Sequence, residues 1–234
     1  MDATTIVFAL LAIFVIWKLR SVLGTRTGTE QPPLDMFRRK TAEPAADEGN
    51  GAVIPFPTST REPLLESVAD DRRAAWARLP GVDERVIPGL EAVASADSQF
   101  DPQSFIEGAK TAYEMIIMSF AAGNRAALRD LLSKDVFDSF SSAITERESR
   151  AETVDTTFVS MGRTIIEDAQ LRGTTAQISM RFQSKLITAT RDRAGVIVDG
   201  SADKVVDMVD VWTFARETNA RDPNWKLVAT EAGA

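Results

Sequence analysis

Asp207 and Asp210 interrupt an otherwise apolar run from Val205 to Trp212. Carboxylates in such a setting are what acid–base chemistry uses, because apolar surroundings push a carboxyl toward the pKa that a proton donor or acceptor needs. A tyrosine is the natural second group, and the chain has one, Tyr113. It has no histidine and no cysteine, which excludes imidazole acid–base catalysis, thiolate nucleophiles, disulfides and zinc-finger sites. Glycine-rich phosphate loops and serine-nucleophile motifs are also missing. The spacing then argues against catalysis by what remains. Asp207 shares a strand face with Val205, Val209 and Val211, where pairing with Arg181 or Lys185 explains it. Tyr113 falls on the apolar stripe of a helix and reads as a core residue with a satisfied hydroxyl. The chain is read as a non-enzyme, with no metal and no cofactor.

The elements that must position these groups follow from periodicity. Asp101 can cap a helix and Pro102 can open it, with Phe105, Ala109, Ala112, Tyr113, Ile116, Ile117 and Phe120 on one stripe and Gly123-Asn124 as the stop. A short helix is expected near Ala126–Leu132 and another over Lys134–Arg150. The period then changes from 3.6 to 2. Strands are expected at Asp155–Glu167, Thr174–Arg191, Val205–Glu217 and Trp225–Glu231, separated by turns near Arg172-Gly173, Ala194-Gly195, Asp199-Gly200 and Asp222-Pro223. Helices first and strands after predict an α+β fold, an antiparallel meander with the helices on one face.

Within Thr174–Arg191, Ala176, Ile178, Met180 and Phe182 share one face and Gln177, Ser179, Arg181 and Gln183 the other, so one side is dry and one is wet. Val205–Glu217 is apolar on both sides, which predicts a strand buried on both faces in mid-sheet, its second face meeting the helices, another subunit, a lipid or a pocket. Met180, Phe182, Met208, Trp212, Phe214 and Trp225 form the candidate cavity or contact surface, suited to an apolar ligand or to a protein, because aromatic and methionine side chains recur at adaptable apolar sites. Arg181, Lys185, Arg191 and Arg193 could form a basic strip near one hairpin.

Before this domain, assigned to residues 100–234, lie three other regions. Residues 1–23 hold the unbroken apolar run Ile6–Trp17, with only Asp2 before it and Lys18, Arg20 and Arg26 after it. That polarity is the reverse of a cleaved signal peptide, and the run predicts a single transmembrane anchor with the N-terminus outside and the C-terminal domain on the cytoplasmic face of an inner membrane. From Ala3 to Leu19 a helix spans about 25 Å against a hydrocarbon core of ~30 Å, a shortfall that Trp17 at the interface and snorkelling by Lys18 and Arg20 can absorb. Residues 24–63 carry six of the ten prolines and read as a disordered linker with a reach of roughly 35 Å. Residues 64–99 form an amphipathic helical segment, with Trp76 on its apolar face as a candidate membrane or partner contact. That segment is free to dock on the domain, on a partner or on the bilayer.

A net charge of −7 and a pI near 4.8 work against nucleic acid as a partner, since phosphate binding relies on cationic side chains. The expected partners are the lipid bilayer and a protein, with an apolar ligand as the alternative.

Four stretches together are similar to the Tim-forty-four-like family, the C-terminal domain of the mitochondrial inner-membrane import-motor adaptor and its bacterial single-pass relatives. They are Phe105–Asn124 (FIEGAKTAYEMIIMSFAAGN), Ala143–Glu148 (AITERE), Arg181–Asp192 (RFQSKLITATRD) and Asp210–Thr230 (DVWTFARETNARDPNWKLVAT). The most specific feature is Trp212-Thr213-Phe214 followed by Pro223-Asn224-Trp225-x-Leu227. The resemblance implies a nuclear-transport-factor-two-like cone, three helices across a curved antiparallel sheet, that encloses an apolar cavity. It also implies a non-catalytic adaptor close to a membrane, in protein transport or membrane-protein handling. Motor recruitment is not among its implications here.

Overall fold

The computed structural model describes residues 70–220 and 222–233. Trp17, Lys18, Arg20, the anchor and the linker lie outside them. Among the described residues no helix is long and apolar enough to cross a membrane.

Residues 70–76 are helical, and a short 3-10 turn at Glu84–Val86 follows. Four α-helices come next: α1 (Ile87–Ala96), α2 (Pro102–Ala121), α3 (Arg125–Leu131) and α4 (Lys134–Ser149). The ends are set by local chemistry. Asp101 accepts the backbone N–H of Ser104 at 2.8 Å and Pro102 occupies the first turn of α2, where a missing N–H costs nothing. Asn124 caps α3 through the N–H of Ala127. Arg147 of α4 caps the far end of α2, donating to the carbonyls of Phe120 and Ala121 at 3.2 and 2.9 Å.

The chain then forms β1 (Thr153–Arg172), β2 (Thr175–Arg191), β3 (Ile197–Gly200), β4 (Val206–Glu217) and β5 (Lys226–Ala232). All pair antiparallel in the order β1-β2-β4-β5, with β3 paired to the end of β2. This is the α+β meander that the switch of period predicts, with two differences. β3 has four residues between two turns, too few to show a period. β1 runs five residues past Glu167, and its register slips between Phe158 and Ser160, Met161 and Thr164, and Ile166 and Asp168. Each irregularity shifts the in–out phase, so no single alternation spans the strand, and each adds bend and twist to the sheet.

The core lies between the helices and one face of the sheet. Leu90, Val93, Ile116, Leu128, Leu132, Ile144, Ile178, Met180, Phe182 and Leu227 are all at most 2% exposed. Trp76, Val86, Ala94 and Phe100 belong to the same cluster. The described part of residues 64–99 is therefore built into the domain rather than set apart from it. The contact is close: a Cβ on Gly89 would meet the Ala169 carbonyl oxygen of β1 at 1.8 Å, and one on Gly81, whose φ is +88°, would meet that of Thr164 at 2.3 Å. With α1 also against the sheet, more than three helices cover it.

Of the two covers expected for β4, the helices of this chain supply one. The strand is central in the sheet order, and its buried residues, Trp212 and Phe214, both lie on the even-numbered face. On the other face Val205 is exposed and Val209 and Val211 are half-buried. A central place in the hydrogen-bond ladder does not by itself supply a second layer.

Candidate functional site

The chemistry-bearing residues meet beneath α2. The stripe Phe105, Ala109, Tyr113 and Ile116 faces the sheet, all four buried. There the Tyr113 ring stacks on Phe182 of β2 at 4.5 Å with 21° between planes, and lies 4.5 Å from Trp212 of β4 at 47°. Its hydroxyl reaches two strands. It donates to Asp210 Oδ2 at 2.6 Å and lies 2.9 Å from Ser184 Oγ. One phenolic proton cannot serve both, so Ser184 donates to Tyr113 and Tyr113 to Asp210. The ladder explains the convergence: Phe182 pairs with Asp210 and Ser184 with Met208, so all four positions point to the inner face.

The electrostatics follow from burial. Loss of solvent pushes the Tyr113 hydroxyl far above its ordinary value of 10.0, and the neighbouring Asp210 carboxylate pushes it in the same direction. Burial also raises Asp210, with the Tyr113 hydrogen bond pulling the other way. The three groups form a donor chain that ties α2 to β2 and β4. Tyr113 is the satisfied core residue its stripe predicts. Asp207 is the paired surface carboxylate, with Lys185 Nζ at 3.2 Å.

Of the six apolar candidates, Met180, Phe182, Trp212 and Phe214 belong to the core cluster and Trp225 packs against it, while Met208 lies toward the start of β4, opposite Ser184. Met180 and Phe182 are wholly buried, Trp212 and Phe214 nearly so, and Met208 and Trp225 half-buried. Phe182, Trp212 and Phe214 lie within 6.0 to 6.5 Å of one another, and Trp225 stacks edge-on to Phe105 at 4.8 Å. These are ring-to-ring packing distances. Trp76 is 6% exposed, with the Arg72 guanidinium 5.3 Å above its ring, so its indole is engaged in the fold.

The basic strip is largely neutralised. Arg181 pairs with Glu167, Lys185 with Asp207, and Arg191 with Asp155 at 3.1 Å.

A second polar arrangement had no signal in the sequence. Arg216 at the end of β4 pairs with Asp97 after α1, donates to the Pro223 carbonyl at 3.1 Å and lies 5.1 Å from the Trp225 ring centroid. Burial lowers the pKa of Arg216. The pair lines an open cleft of about 370 Å³ with Gln99, Thr218 and Asp222. Asp97 and Arg216 are distant in sequence, and only the docking of α1 on the sheet joins them.

Residues 88–232 match the family described as Tim44-like domain. An uncharacterized protein of Rickettsia prowazekii (strain Madrid E) is 24% identical over 95% of this chain and 93% of its own length. Among solved structures, the intermembrane space region of chloroplast protein ARC6 aligns with a TM-score of 0.40 at 10% identity, over 57% of this chain and 97% of that one. A putative dehydratase of the NTF2-like family from Streptomyces avermitilis aligns with a TM-score of 0.30 at 13% identity, over 56% and 96%. Both structural similarities are distant.

Proposed function

This chain belongs to the Tim44-like family, and from that premise we propose that it is a membrane-tethered, non-catalytic adaptor. Family membership supports the coarser part, a membrane-associated adaptor without chemistry of its own. The finer part is our reading. Residues 1–23 anchor the chain in an inner membrane with the N-terminus outside. Residues 24–63 leash the domain to the cytoplasmic face, and the domain, a nuclear-transport-factor-two-like cone, holds a protein client in transport or membrane-protein handling.

The observation that carries this reading is the family match over 88–232, which spans α1 to β5. The interior geometry is consistent with it. The Tyr113 proton is committed to Asp210, and the Tyr113 ring packs against Phe182 and Trp212 beneath α2. A leash of this length keeps the domain at millimolar effective concentration for partners near the membrane, an advantage that needs no active site.

Proximity labelling in cells tests it, comparing the full chain with a form that begins at Leu64. The tethered chain should label a set of membrane-protein partners that the shortened form loses. Identical partner sets for the two would overturn the reading.

A further inference from the structure

The pairing of Thr153 with Arg191 is the last of the β1–β2 ladder. Beyond it β2 runs into a turn and returns as β3. The turn is firmly built. Asp192 and Val196 share a backbone hydrogen bond of 3.0 Å, and the Asp192 carbonyl accepts the N–H of Gly195 at 2.9 Å. Asp192 Oδ1 accepts the N–H groups of Ala194 and Val196 at 2.8 and 3.0 Å, and Arg191 donates to the Gly195 carbonyl at 3.1 Å. Yet the returning strand opens with Val196, Ile197 and Val198, which are 59%, 38% and 53% exposed. Successive strand residues point to opposite faces, so this tip is apolar on both faces and neither is covered.

We propose that the β2–β3 tip is a bilayer-contacting wedge, with Val196, Ile197 and Val198 seated at the headgroup–acyl boundary of the membrane that holds the chain. This rests on the tethering reading above. Three arguments select a lipid surface. Three partly exposed aliphatic side chains offer far less than the ~800 Å² per partner that a stable protein interface buries, whereas a bilayer demands no matching shape. The charges of the tip cancel, Arg191 and Arg193 against Asp192 and Asp199, so the contact escapes the repulsion that a net charge of −7 would meet at an anionic surface. Finally, α1 and the turn at Gly81 dock beside Thr164 and Ala169 of β1, toward the opposite end of the sheet from the tip. From Arg181, opposite Ile165, to Arg191 is about 33 Å at ~3.3 Å per residue, comparable to the roughly 35 Å reach that the sequence gives the leash. The depth is limited. Among the described residues β3 pairs only with β2, and backbone groups on its other edge resist entry into hydrocarbon.

The chain lacks cysteine, so Val198→Cys carries its only thiol. The full chain with an environment-sensitive fluorophore there is reconstituted into zwitterionic vesicles, beside a reference chain labelled at Arg172→Cys in the distant β1–β2 turn. The Val198→Cys probe should shift to the blue. It should also be quenched severalfold more by lipid spin labels near the headgroup than the reference probe is, equally so in anionic vesicles. Adding Val196→Asn and Ile197→Asn should return it to water with the circular dichroism unchanged. A chain that floats with vesicles while both probes are equally open to aqueous iodide overturns the wedge and leaves the tether standing. A blue shift without lipid quenching that grows with protein concentration assigns the tip to a second copy and also overturns it. Failure of the chain to float overturns wedge and tether together.

Discussion

At the scale of single residues, the hydroxyl of Tyr113 decides more than any other atom. Removing it by Tyr113→Phe leaves a buried serine and a carboxylate without their shared partner. The expected loss is about 1–3 kcal/mol of stability, read as a lower urea midpoint. Its proton also gives a direct optical test. Tyr113 is the only tyrosine and its pKa is raised, so the folded chain keeps a proton that the unfolded chain loses near pH 10. Stability should therefore fall as pH rises above that value, and tyrosinate absorbance should grow only as the fold opens. A tyrosinate signal that titrates near pH 10 in a still-folded chain contradicts the geometry. Asp210 acts in the same sense at lower pH. Its folded pKa is raised from 3.8, so stability is greatest below that value and falls as pH climbs through the folded one. Asp210→Asn should abolish this falling limb in midpoints measured across about pH 4 to 8. Tyr113→Phe, which removes the bond holding Asp210 down, should extend it upward. The sequence marked Tyr113 and Asp210 separately, from a helical stripe and a break in an apolar strand. It did not join them, because the two lie 97 residues apart and only the crossing of α2 over β4 makes them neighbours. Ser184 continues the inward alternation of Ala176 to Phe182 and was legible in direction, but its role depends on the tyrosine.

At the scale of elements, the caps and stops are local and were readable: Asp101 and Pro102 open α2, and Gly123-Asn124 follow its end, although the role of Asn124 as the cap of α3 was not read. The strands were harder where the period fails. β1 hides behind three register slips and β3 behind its brevity. Residues 64–99 were left open between three docking sites because an amphipathic stripe records that something covers it and not what. Gly89 settles the part that is described. Gly89→Ala puts a methyl into the Ala169 carbonyl, which backbone on both sides cannot easily relieve. The expected cost is about 1–3 kcal/mol. Hydrogen exchange should locate the damage, with residues 70–96 losing protection while the α2-to-β5 core keeps it. Unchanged protection in both regions would show that α1 docks more loosely than the packing implies.

At the scale of the whole molecule, a folded domain of the Tim44-like family begins within α1 and ends at the last residue of β5. The α+β class, the antiparallel order and the family were all legible, because period change and strand motifs are properties of the sequence itself. The assignment of residues 100–234 as the domain placed its start too late, since the apolar faces of residue 76 and of α1 close the same core as α2. Function at this scale turns on whether the apolar run Ile6–Trp17 holds the domain at a bilayer. The most direct measurement is alkaline carbonate extraction of membranes from cells making the full chain, beside a form lacking residues 1–23. The tethered adaptor predicts the full chain in the membrane pellet and the shortened form in the supernatant. A full chain that washes into the carbonate supernatant contradicts it.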